Sequence, residues 1–168
     1  MRTTIVMAAI LIAATGGIAA GGHGVTPTST QSASAALDPC ALMTRQDAAT
    51  AVGEAVGEPK KKDPGRSAGP GMSVVQCEYT SAARNSINLT IWGFSGESAA
   101  MGLQIYKSEC LKKEQVPGLG DIACWYNKDH RELQVLKGTT ILTFEINRGG
   151  NATEALTTVA KNALGRLK

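Results

Sequence analysis

The stretch RELQVLKGTTILTFEINR, residues Arg131 to Arg148, decides the fold. Leu133, Val135, Ile141 (or Leu142), Phe144 and Ile146 recur at alternate positions on either side of Lys137-Gly138. A period of two is that of a strand with one buried face, and Lys-Gly between two such runs signals a tight turn. The same pattern occurs earlier. In SVVQCEYTSA, Val75, Cys77 and Tyr79 point one way; in SINLTIWGF, Ile87, Leu89 and Ile91 do so. The link Ala82 to Asn85 predicts a short hairpin with Asn85 at positive φ. Strands joined by hairpins run antiparallel, which excludes a purely parallel sheet.

Between and around the hairpins the period changes. Thr44-Arg45-Gln46-Asp47 reads as a helix start, a threonine cap with an acid three residues on. Ala48, Ala51, Val52, Ala55 and Val56 follow at helical spacing, with Gly57 and Pro59 as the stop. Residues 58–72 predict a long Pro/Gly/Lys-rich loop. Residues 95–110 predict a second helix with Met101, Leu103 and Ile105 partly buried, weakened by Gly102. VPGLGDIACWYN is a turn leading into a strand through Ile122 to Tyr126. Asn151 to Glu154 starts a last helix, with Leu156, Val159, Ala160, Ala163, Leu164 and Leu167 as its apolar stripe. The expected fold class is α+β: a single antiparallel sheet of about five strands with helices packed on one face, in the order α-β-β-α-β-β-β-α.

The chain opens MRTTIVMAAILIAATGGIAA, one basic residue, a short apolar run and small residues, the layout of a secretory signal over residues 1–20. The apolar run is shorter than the ~20 residues of a membrane-spanning helix. Residues 21–36, rich in Gly, Ser, Thr and Ala, predict a flexible lead. Residues 37–168 then form a single domain of about 130 residues. The expected location is exported, periplasmic or extracellular, with no integral membrane segment after cleavage.

Lys+Arg number 17 against Asp+Glu 14, a balance that gives no sign of a nucleic-acid partner. The one basic cluster, KKKDPGR at Lys60 to Arg66, reads as a solvated loop. Four cysteines, Cys40, Cys77, Cys110 and Cys124, form an even set in an exported chain and predict a disulfide framework. There is no C-x-x-C pair for zinc, and only His23 and His130 are available as imidazoles. Three pairings are open. Cys40–Cys77 and Cys110–Cys124 are favoured, because each joins a cysteine beside a helix to one in a strand.

DPCALMTRQDAATAVGEAVGEP, QCEYTS and VPGLGDIACWY resemble three segments of a family of small exported bacterial proteins and lipoproteins of unknown function, common in actinobacteria. That family carries a D-P-C-x-L-[LM]-T helix, a C-x-[YW] strand and a G-L-G-D-x-A-x-[WY] turn. The resemblance implies an exported domain with Cys40 joined to Cys77, and implies no activity. The chain departs from it in lacking a lipid-attachment cysteine and in adding the pair Cys110 and Cys124.

Motifs for chemistry are sparse. Gly93-Phe94-Ser95-Gly96 lacks the second glycine of a nucleophile elbow, and NKDHREL around His130 has the composition of an exposed turn. No metal or cofactor motif is present, so none is expected. Gly118, Gly120, Asp121 and Trp125 form a possible ligand loop: two glycines admit close approach, one carboxylate and one indole lie beside them. The same residues also suit a tight structural turn. The expected function is a non-catalytic exported domain that binds a small apolar ligand, an envelope component or a protein partner. A secreted enzyme using Asp121, His130 or other acidic residues in a cleft, and a structural or inhibitory module presenting the Lys60 loop, are the alternatives.

Overall fold

The structure, a computed structural model, describes residues 37–62, 71–96 and 98–167. The expected signal and lead, residues 1–36, lie outside the described residues, as do residues 63–70 of the long loop. The elements in chain order are α1 (Pro39–Leu42), α2 (Arg45–Val52), β1 (Lys60–Lys62), β2 (Met72–Thr80), β3 (Ser86–Phe94), α3 (Ser98–Cys110), β4 (Glu114–Gln115), β5 (Ile122–Trp125), β6 (Glu132–Lys137), β7 (Thr140–Asn147) and α4 (Thr153–Arg166). The strands form one antiparallel sheet in the order β1-β2-β3-β7-β6-β5-β4. The α+β class and the antiparallel sheet are as the periodicity predicts.

The sheet has seven strands rather than about five. The two extra strands are its edges: Lys60–Lys62, within the predicted loop, and Glu114–Gln115. Both are short and polar, as protected edges tend to be, so neither carries the apolar alternation by which strands are read. Lys62 Nζ lies 2.7 Å from Glu78 and Lys61 Nζ 3.3 Å from Asp38, which tie the Lys-rich edge to the domain.

The inner face follows from register. Cys77, Leu89, Phe144, Leu133 and Trp125 stand opposite one another in a single row across five strands, and all are buried. Side chains of this size each contribute about 1.5–3 kcal/mol when removed from water. Helices α1, α2 and α4 cover this face, α4 through Leu156, Val159, Ala160 and Ala163. The inward residue of β7 is Leu142, and Ile141 faces the other way.

The helix α2 starts as expected: Thr44 Oγ1 accepts from Asp47 N, and the Asp47 carboxylate accepts from Thr44 N at 2.9 Å. It ends at Gly53, not Gly57, because Gly53 takes the left-handed cap at φ 84°. Val56 is buried instead through a bridge to Ser81, and Ala55 is exposed. In the β2–β3 hairpin the positive φ belongs to Arg84, not Asn85. Asn85 donates its side-chain amide to Glu54 at 2.6 Å, a contact across 31 residues that local turn rules do not contain.

The helices do not share one face. Trp92, Phe94 and Cys124 project from the side of the sheet opposite Leu89 and Phe144, by alternation within β3 and β5. There they meet α3, whose Cys110 is bonded to Cys124. The domain is therefore three-layered, with α3 alone on the outer face among the described helices. Both favoured disulfides are formed, Cys40–Cys77 on the inner face and Cys110–Cys124 on the outer. The residues of α3 expected inside are also corrected: Met101 and Ile105 are mostly exposed, while Gly102, Leu103, Tyr106 and Cys110 turn inward. No helix among the described residues is long and apolar enough to cross a membrane.

Candidate functional site

The outer face is graded along its strands. Register places Glu78, Asn88, Glu145 and Glu132 in one cross-strand row. The next parallel set on this face is Gln76, Thr90, Thr143 and Gln134, followed by Val74, Trp92 and Ile141, with Met72 and Phe94 at the end. At the β2 edge Lys60 and Lys62 join these rows and Lys62 pairs with Glu78. Across β3, β7 and β6 one end is acidic, the middle polar and uncharged, the far end apolar.

The helix α3 spans this gradient without filling it. At one end Gly102 lies against Phe94; a Cβ there would sit 2.6 Å from the ring, so the absence of a side chain lets the helix approach. At the other end the Cys110–Cys124 bond holds it to β5. Between these anchors a cavity of about 360 Å³ remains, within the range of small-molecule sites. Its walls are Met72, Trp92, Phe94, Ile105 and Ile141; its polar groups are Tyr106, Glu132, Gln134 and Thr143.

Two of those polar groups are incomplete. The hydroxyls of Tyr106 and Thr143 are buried and have no hydrogen-bond partner among the described residues. Burial pushes the Tyr106 phenol up, so it is a neutral hydroxyl able to donate. A buried hydroxyl left without a partner costs about 1–3 kcal/mol, which a complementary ligand or water would recover. Burial also raises the Glu132 carboxyl, only partly offset by the bond from Gln134 Nε2 at 2.9 Å, and Glu145 across the strand pushes it further the same way.

This elevation has a stability consequence with a definite sign. A carboxyl whose folded pKa exceeds its unfolded value loses stability as pH rises through that window, because the unfolded chain releases the proton first. Below the window both states are protonated and no penalty remains. Glu132→Gln removes the charge, and with it the repulsion from Glu145. Its melting temperature should exceed that of the native chain at about pH 7, with the gap closing towards about pH 3. A gap independent of pH, read by circular dichroism melting, would show that the Glu132 charge is not the cause.

No family model, curated protein or solved structure matches the chain.

The residues singled out as a ligand loop lie elsewhere and serve the hairpins. Gly120, at φ 64°, leaves no room for a side chain: a Cβ would sit 2.5 Å from the Leu136 carbonyl. Leu119 beside it is buried in the inner core. Gly118, at φ 76°, faces open space. Asp121 Oδ2 accepts from Gly138 N at 2.6 Å and Oδ1 from Lys137 Nζ at 3.1 Å, bonds that hold its carboxyl below the ordinary range and lock the β6–β7 turn. Trp125 is buried in the inner core and stacks on His130 at 4.7 Å between ring centroids.

His130 bonds Thr153 Oγ1 through Nδ1 at 3.1 Å and Glu114 Oε2 through Nε2 at 2.8 Å. These contacts fasten β4 and the start of α4 to the β5–β6 loop. Asp121 precedes β5 and His130 follows it, so the two sit at opposite ends of that strand and do not share a cleft. No group of three His, Cys, Asp or Glu residues suited to a metal ion occurs among the described residues.

The cavity residues escaped sequence reading because they come from β2, β3, α3, β6 and β7, and its polar strand residues, Glu132, Gln134 and Thr143, read as solvent-exposed. One local signal exists. Ile91-Trp92-Gly93-Phe94 places large apolar groups on both faces of β3, which calls for cover on each side.

Proposed function

We propose that this is an exported, non-catalytic binding domain of the kind its D-P-C and G-L-G-D segments resemble, and that a small, largely apolar ligand occupies the cavity under α3. The observation that carries this is the coincidence of an apolar, aromatic-walled cavity with two hydroxyls that lack partners among the described residues, Tyr106 and Thr143. Binding sites of this type combine apolar walls with a few polar groups that fix orientation. Two disulfides, one on each side of the sheet, support a pre-formed site in an oxidising environment.

Titration with Nile red, a neutral probe that brightens in apolar surroundings, tests this. It should bind the native domain saturably and quench Trp92. Thr143→Phe, which fills the polar middle of the cavity, should weaken binding by about tenfold or more, equivalent to about 1.4 kcal/mol. Melting of the same variant checks that the sheet is intact. Unchanged affinity in folded Thr143→Phe would place the probe elsewhere and remove the assignment.

A further inference from the structure

We propose that the ligand of this cavity is an amphiphilic organic cation, its apolar body against Trp92, Phe94 and Ile105 and its ammonium at Glu132, whose exposed cross-strand neighbour Glu145 adds to the negative field at the cavity's rim. This rests on the cavity reading above and adds the charge of the occupant. Three observations converge on it.

First, Glu132 and Glu145 are directly opposite each other on β6 and β7. Like charges facing across an antiparallel pair destabilise the sheet, and neither is in an ion pair among the described residues. Lys113, the basic group whose field reaches Glu132, is engaged elsewhere. Its Nζ donates to the Tyr126 carbonyl at 3.1 Å and lies 4.2 Å from the centre of the Tyr126 ring. The charged and titratable groups around Glu132 are therefore Glu145, an engaged Lys113 and the Tyr106 phenol.

Second, the walls away from the carboxylates suit an apolar body: Trp92 and Phe94 line the far end of the space, and Tyr106 also faces it. Third, the length is set by register. Trp92 lies four residues along β3 from Asn88, which stands in the Glu132–Glu145 row. At strand rise this is about 13 Å, so a head at the carboxylates and a body at Trp92 describe a molecule of that order. An anionic amphiphile would meet two carboxylates at its head and is disfavoured.

Three length-matched probes separate the possibilities: 5-(1-naphthyl)pentylamine, 5-(1-naphthyl)pentan-1-ol and 5-(1-naphthyl)pentanoate, titrated by calorimetry at neutral pH. The amine should bind about tenfold tighter than the alcohol, by a charge-assisted contact, and the carboxylate most weakly. In Glu132→Gln, which keeps the shape of the side chain, the ratio of amine to alcohol affinity should shrink towards one. Glu145→Gln should lower the preference in the same direction. Equal affinity of amine and alcohol for the native domain would overturn the cationic assignment and leave the cavity reading standing. Failure of all three probes to bind would overturn both.

Discussion

Replacing Cys40 and Cys77 together by serine lowers the unfolding free energy by about 4 kcal/mol, the largest single effect expected in this chain. The bridge closes a separation of 37 residues, and the entropy removed from the unfolded chain grows with that length. The corresponding figure for Cys110–Cys124, with a separation of 14, is about 3 kcal/mol. The inner bridge also holds an element that cannot hold itself. The helix α1 is four residues long, far below the length at which an isolated helix persists. Without the bond, α1 would keep the packing of Pro39, Leu42 and Met43 in the core, its cap from Asp38, the bond from Tyr79 OH to the Met43 carbonyl at 3.1 Å, and the Arg166 contact to the Leu42 carbonyl at 2.8 Å. Cys77 is fully buried in the row with Leu89 and Phe144, so serine there adds a hydroxyl to an apolar core. Urea unfolding at neutral pH measures the effect; a loss under about 1 kcal/mol would show that the bridge does not restrain the unfolded chain as its loop length implies.

Asp47→Ala is expected to cost about 3 kcal/mol. Asp47 is buried, at 6% exposure, and its two oxygens accept four hydrogen bonds. Oδ2 receives Thr44 N, Thr44 Oγ1 at 2.6 Å and Arg166 Nη1 at 2.7 Å, while Oδ1 receives Asn162 Nδ2 at 2.8 Å. One carboxylate therefore caps α2 and clamps it to α4. Losing the N3 half of the capping box leaves the Thr44 backbone N–H without its acceptor, and leaving the Thr44 hydroxyl and Asn162 donors unmatched adds more. Arg166 is partly exposed and can turn to water, which keeps the total near the lower end for a broken buried pair.

The same site predicts acid sensitivity. Burial pushes the Asp47 carboxyl up, but the bonds from Thr44, Arg166 and Asn162 together outweigh burial and hold it below the ordinary value. A depressed folded pKa gives stability that is present above the unfolded value and lost as pH falls through the folded one. The difference between native and Asp47→Ala should accordingly be full at neutral pH and shrink in acid. If the difference stayed constant across that range, packing rather than the carboxylate charge would account for the loss.

What was legible in the sequence was whatever depends on near neighbours. Alternation in β2, β3, β6 and β7 is written every second residue, because a half-buried strand exposes successive side chains to different solvents. The Thr44–Asp47 box is four residues long and was readable for the same reason. The disulfide pairs were inferable because the cysteines sit beside elements already recognised. The polar edge strands Lys60–Lys62 and Glu114–Gln115 were not, since short charged edges carry no apolar alternation and read like loops.

The chain by itself determined an antiparallel α+β domain, its paired cysteines and most of its inner face. Only the tertiary structure decided that α3 crosses to the outer face, that Asp47 serves two helices, and that Tyr106, Glu132 and Thr143 surround one cavity. Asp47 reaches Arg166 across 119 residues, and the cavity gathers residues from Met72 to Thr143. Such encounters depend on strand order and layer packing, and no local periodicity encodes which distant polar residue becomes the neighbour of another. The physical reason is that burial imprints a period on the residues of one element, whereas a site depends on where separate elements meet.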